Sequence, residues 1–149
     1  MVGVRYFNII WLVVAALLLQ GCPKGIAITV HNNTESDLFV VLNKGQIRWP
    51  HGTSLHFDND EVWVRDDGRY TPMLSIKWKS AVLTYKLFSL GGLPAEYIGY
   101  STGNDFSSGT QDYQFQLEPD RNLYVVKPGD PFPAKQLYPR PITPGVVSN

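Results

Sequence analysis

Three stretches of the chain alternate apolar and polar residues with a period of two. In "LSIKWK", Leu74, Ile76 and Trp78 fall on one side and Ser75, Lys77 and Lys79 on the other. In "LTYKL", Leu83, Tyr85 and Leu87 alternate with Thr84 and Lys86, and in "DYQFQL", Tyr113, Phe115 and Leu117 alternate with Gln114 and Gln116. Successive strand side chains point to opposite faces, so this pattern predicts strands with one buried and one wet face. The stretches "IAITVH", "DLFVVLN", "TSLHF", "EVWVR" and "LYVV" also read as short strands. Between them stand "NNT", Lys44-Gly45, Asp58-Asn59-Asp60, Asp66-Asp67-Gly68 and residues 119–122, all rich in turn formers. Asp67-Gly68 is in addition a hairpin signal, and "FSLGGLPAEYIGY" reads as two strands around Gly91-Gly92. No segment after residue 21 keeps a helical period over ten residues. About eight or nine short, evenly spaced strands predict an all-β fold, an antiparallel β-sandwich of immunoglobulin-like or transthyretin-like type.

The last 22 residues, 128–149, hold six of the eleven prolines. Proline fixes φ and lacks an N–H, so this segment cannot extend a sheet interior. It is expected to be a polyproline-like tail. Its two possible uses are a recognition arm or, more in keeping with terminal segments, a strap on the domain or a disordered end. Phe132, Leu137 and Tyr138 are apolar enough to dock.

The start of the chain differs from all of this. Arg5 is followed by a continuous apolar run over residues 9–19. Eleven helical residues fall short of a hydrocarbon core about 30 Å thick, whereas a basic start and a short apolar run mark an export signal. That run leads into Leu19-Gln20-Gly21-Cys22, and Cys22 is the only cysteine. The quartet resembles the lipobox of bacterial lipoproteins. The resemblance covers residues 1–22 and implies that residues 1–21 are a signal peptide, removed after a diacylglyceryl group has joined the Cys22 sulfur. It further implies acyl chains, palmitate among them, on the new N-terminus. Two or three such chains hold a protein stably on a membrane, where one does not. The expected location is the cell envelope, on the periplasmic face of the outer membrane ahead of the inner membrane.

The division of the chain is then 1–21 signal peptide, 22–127 β-sandwich domain with a short N-terminal tether, and 128–149 Pro-rich tail. Without residues 1–21 the chain keeps twelve basic and thirteen acidic side chains. That near-neutral balance gives no field to attract nucleic acid. With a single cysteine no intrachain disulfide can form, so the core alone must hold the fold.

The candidates for chemistry are few. His31, His51 and His56 are the only imidazoles, and none stands in a local motif with a nucleophile. Neither "FSLGG" nor "SSGT" is the G-x-S-x-G elbow. Asp58, Asp60, Glu61, Asp66 and Asp67 could offer oxygens to calcium, but they do not match an EF-hand loop and read as turn residues. No catalytic residue, metal ligand or cofactor is therefore assigned beyond the covalent lipid on Cys22. The stretch "YIGYSTGNDFSSGT" mixes small polar residues with Tyr100 and Phe106. Rigid aromatics among adaptable polar residues make a candidate protein-binding loop.

The reading is a non-enzymatic, membrane-anchored envelope lipoprotein with a binding or structural accessory domain and a protein partner in the envelope. The alternatives are a periplasmic immunity lipoprotein that neutralises a toxin, and an envelope hydrolase. Cys22→Ser removes the lipid-accepting thiol. Cells fed a fatty-acid analogue should label the parent chain and leave this variant unlabelled and unprocessed; equal labelling of the two would refute the lipobox reading.

Overall fold

The computed structural model describes residues 25–66, 68–89, 92–101 and 110–147. Its strands are β1 (Ile26–Asn32), β2 (Leu38–Leu42), β3 (Gly45–Trp49), β4 (Ser54–Asp58), β5 (Trp63–Asp66), β6 (Arg69–Trp78), β7 (Ala81–Lys86), β8 (Gly99–Ser101), β9 (Thr110–Leu117), β10 (Leu123–Val126) and β11 (Gly145–Val147). One helical turn, α1 (Asn59–Val62), follows β4, and a 3-10 turn spans Ala95–Tyr97. The described chain is all-β in its extended elements, as the alternation predicts.

The strands form two sheets. The first runs β4–β1–β9–β10, with β8 beside the other end of β9. The second runs β3–β2–β6–β7–β11, with β5 beside the first part of β6. Neighbours are antiparallel throughout, except that β1 and β9 run parallel from Ile26 opposite Gln111 to Asn32 opposite Leu117. A purely antiparallel architecture was expected, and this pair departs from it. Hydrophobic alternation fixes which face is buried but not strand direction.

The inward faces of both sheets supply one hydrophobic cluster. Ile28, Val30, Phe57, Phe115 and Leu117 enter it from the first sheet, and Leu38, Val40, Trp49, Leu74, Ile76 and Tyr85 from the second. The polar handles of the two large aromatics are satisfied. The Trp49 indole donates to the Thr53 carbonyl at 3.0 Å, and the Tyr85 hydroxyl donates to the Arg121 carbonyl at 2.8 Å. Burial pushes the Tyr85 hydroxyl well above its ordinary pKa, so it remains a donor.

The pairing register defines two poles. At the N-terminal pole, Ala27 lies opposite Asp58, just ahead of α1, and Ile26 lies opposite Gln111. At the distal pole, the Asn32 side chain donates to the carbonyls of Trp49 and Ser36 at 3.1 and 3.0 Å and accepts from Thr34. Trp49 pairs with Leu38. The other end of that hairpin, Leu42 opposite Gly45, therefore reaches back to the N-terminal pole.

After β10 the chain turns, with the Asp130 N–H donating to the Lys127 carbonyl at 3.1 Å, and crosses the outer face of the first sheet. It then passes along β10 in isolated bridges, Leu137 opposite Val126 and Ile142 opposite Leu123. Pro139 and Pro141 lack donors, which suits single bridges better than a continuous ladder. The segment ends as β11 on β7, so it leaves one sheet and joins the other. Ile142, 2% exposed, sits in the shared cluster on the way.

Two other local expectations change. β3 did not stand out in the sequence because most of its side chains are exposed and only Trp49 is buried. The two strands expected around Gly91-Gly92 give way to a turn over Leu87, Phe88 and Ser89, the 3-10 turn and the three-residue β8. Pro94, the residue capping that turn, has no N–H for a ladder.

Ile142→Ala empties a position between the sheets. Large-to-small changes of this kind cost about 2–5 kcal/mol. Urea unfolding should show that loss for Ile142→Ala, whereas its exposed neighbour Thr143→Ala should stay within about 0.5 kcal/mol of the parent.

Candidate functional site

The outer face of the first sheet carries polar residues in register. His31 lies opposite Ser54 on β4 and opposite Gln116 on β9. One residue pair along, Thr29 lies opposite His56 and Gln114. Alternation alone predicts that this face is wet. Yet His31 is only 4% exposed and Gln116 is fully buried.

The cover comes from the C-terminal segment. The Phe132 ring stacks on the His31 imidazole with centroids 4.8 Å apart and planes 8° from parallel. Gln116 engages the backbone of Ala134: its Oε1 accepts from the Ala134 N–H at 2.7 Å, and its Nε2 donates to the Ala134 carbonyl at 3.3 Å. The same Nε2 donates to Glu118, whose carboxylate also accepts two hydrogen bonds from Asn33 at 3.0 and 3.1 Å. His31 Nδ1 meets the Ser54 hydroxyl at 3.0 Å, while His31 Nε2 and Gln114 Oε1 are buried and have no partner among the described residues.

A serine beside a histidine invites comparison with a hydrolytic centre. In such a centre a third group orients the far nitrogen of the imidazole. Here that nitrogen has no partner among the described residues, and Glu118 is bound by Asn33 and Gln116. What the arrangement does physically is clamp the segment at 132–134 to the sheet. Burial lowers the His31 pKa, Glu118 opposes the shift, and His51 adds to it.

The other two histidines make hydrogen bonds of their own. His56 Nδ1 contacts the Thr29 hydroxyl at 3.0 Å on the exposed surface, with Asp58 at 3.7 Å from its other nitrogen. His51 bonds through Nδ1 to the Thr34 carbonyl, and its backbone N–H donates to Asp37 at 2.9 Å. That N–H, together with Arg48 at 2.6 Å, holds the Asp37 carboxyl below its ordinary pKa.

The acidic turn residues serve the backbone. The Glu61 carboxylate reaches back to accept from the Asp58 N–H at 3.2 Å, the return half of a capping box at the start of α1. The side chains of Asp60 and Asp66, and Asp67 as a whole, lie outside the described residues, and no cluster of three metal-ligating side chains occurs among those described.

Of the two binding candidates, Tyr100 stands in β8 opposite Gln111, so its backbone is strand rather than loop. Its side chain, and the whole of Phe106, lie outside the described residues, as does Cys22.

A second surface feature was not anticipated. At the N-terminal pole an open cleft of about 320 Å³ lies between the tip of the β2–β3 hairpin and α1. Leu42, Lys44 and Ile47 line one side and Glu61 the other. Ile47, 39% exposed, is one of two large apolar residues left uncovered among the described residues. The only hint in the sequence is that the apolar run of β2 continues to its last residue, Leu42.

No family model, curated protein or solved structure matches the chain.

Because its folded pKa is lowered, His31 favours the folded state when neutral. That contribution is complete above the unfolded value of about 6.5 and falls away as pH drops below it. Melting temperature should decline between about pH 8 and about pH 5 in the parent, and decline less in His31→Gln, which cannot titrate. Asp37, also lowered, acts only near the carboxylate range below this window. Matching declines in parent and variant would remove His31 as the cause.

Proposed function

We propose that this chain is a lipid-anchored protein of the bacterial cell envelope whose β domain acts as a non-catalytic binding or structural accessory. One observation carries the reading: Leu19-Gln20-Gly21-Cys22 closes a short apolar run behind a basic start, and the first strand begins four residues after the cysteine. Cleavage before Cys22 would leave an acylated N-terminus joined almost directly to β1. The periplasmic face of the outer membrane is the proposed site.

The finer fold proposed is an immunoglobulin-like or transthyretin-like sandwich. Two sheets that share one hydrophobic cluster support it. Sandwiches of this kind present loops at their two ends as contact surfaces. The proposed contact with an envelope protein is β8 with the connection that follows it, carrying Tyr100 and Phe106, supported by the mixture of aromatic and small polar residues there.

Truncating an anchor at an interface centre typically costs about 2 kcal/mol or more of binding, whereas truncating a core aromatic costs about 3–5 kcal/mol of folding. A photo-crosslinking side chain at position 100 or 106 should yield one discrete adduct in intact cells. Tyr100→Ala with Phe106→Ala should abolish the crosslink made from a neighbouring position and leave the melting temperature unchanged. A large drop in melting temperature would instead place these rings in the core and end the assignment.

A further inference from the structure

We infer that the cleft between the β2–β3 hairpin and α1 rests on the surface of the membrane to which the chain is anchored. The inference stands on the lipid-anchor reading above and adds an orientation and a contact surface to it.

The argument begins with covalent reach. Three peptide steps separate Cys22 from Gly25, and each spans at most about 3.6 Å, so an acylated Cys22 holds Gly25 within roughly 11 Å of the lipid headgroups. Gly25 is already part of the folded domain, since its carbonyl accepts from the Gln111 N–H at 2.9 Å. The tether therefore leaves little freedom to swing.

The cleft is close to that point through a short series of bonded neighbours. Ala27 pairs with Asp58 across the β1–β4 ladder. The Asp58 N–H is held by the Glu61 carboxylate, and Glu61 forms one wall of the cleft. The opposite wall presents Leu42 and Ile47, with Lys44 at the tip of the hairpin. An exposed Ile47 and a half-buried Leu42 beside a lysine suit the interface of a bilayer, where apolar side chains enter the headgroup boundary and lysine extends its charge toward phosphate. Glu61 counters part of that charge, so the contact rests mainly on Leu42 and Ile47.

The distal pole is held away. β1 has seven residues, which span about 20 Å, and it runs from the tethered pole to the Asn32 network. The β6–β7 turn lies at that far end, where the Arg121 guanidinium stands 5.7 Å above the Trp78 ring.

Because Cys22 is the only cysteine and is acylated in this reading, a new cysteine accepts a fluorophore alone. The test uses the mature lipidated chain in vesicles of phosphatidylethanolamine and phosphatidylglycerol that contain a phospholipid with a headgroup-level quencher. Lys44→Cys should be quenched several-fold more than Ser80→Cys in the β6–β7 turn. Adding Ile47→Asp, or the milder Ile47→Ser should the aspartate variant melt early, should relieve most of the quenching at position 44 while fatty-acid incorporation is unchanged.

Equal quenching at 44 and 80, or none at 44 in a lipid-labelled chain, overturns the orientation alone. Quenching at 44 that both Ile47 variants leave intact overturns the cleft contact, because the tether then accounts for it. A chain that incorporates no fatty acid overturns the anchor reading and this inference with it.

Discussion

β1 is hydrogen-bonded along both edges, to β4 on one side and to β9 on the other. The first strand of the domain is thus an interior strand of its sheet, and much of the remaining structure follows. Its inward residues Ile28 and Val30 lie at the middle of the shared cluster and are fully buried. Its last residue, Asn32, satisfies its side-chain amide entirely at the distal pole and fixes the approach of Thr34, Ser36 and Trp49. The fully buried amide costs little because each of its polar atoms is paired. Its first residue sets which end of the domain faces whatever precedes it.

The outer face of the same sheet is where sequence and structure part most clearly. His31, Gln114 and Gln116 occupy alternate positions that the period-two rule gives to water. His31 and Gln116 are covered because the segment at 132–134 folds back over them, while Gln114 is half-buried. Gln116 then does what a neighbouring strand would do, offering an acceptor and a donor to the backbone of one residue, Ala134. A side-chain amide suits this position because the incoming segment is interrupted by prolines and cannot supply a regular ladder. Phe132 lies flat against the imidazole and covers it.

The parts of the fold that were legible in the sequence are local. The alternation of Leu74 with Ile76, Leu83 with Tyr85, and Phe115 with Leu117 marked the strands and their buried faces, and Lys44-Gly45 marked the tip of the β2–β3 hairpin. What could not be read was non-local. Nothing in "IAITVH" distinguishes a strand that pairs in parallel with residues 111–117 from one at a sheet edge. Nothing in "GQIRW" announces a strand either, because an exposed edge strand is under little pressure to alternate. The site was less legible still. His31 was visible as an imidazole beside a strand, but its burial depends on Phe132, and Phe132 could be recognised only as an apolar residue in search of a surface. The cleft at Leu42 and Ile47 arises where a hairpin outruns the core beneath it, and hairpin length relative to its partners is a tertiary property.

The parallel pairing of β1 and β9 also has a consequence in time. A chain synthesised, or passed through a pore, from its N-terminus presents β1 first and can join it to β4 after a short interval. The second edge of β1 must wait for residues 111–117, far downstream of it in the sequence. Contacts so distant in sequence form slowly, and an unpaired strand edge is a template for pairing with other chains. The nascent protein therefore carries an open, β-branched edge until β9 has been made. For this fold the hazardous interval is the wait before β9 arrives, and its length is set by the order of the strands rather than by the strength of any contact in the finished molecule.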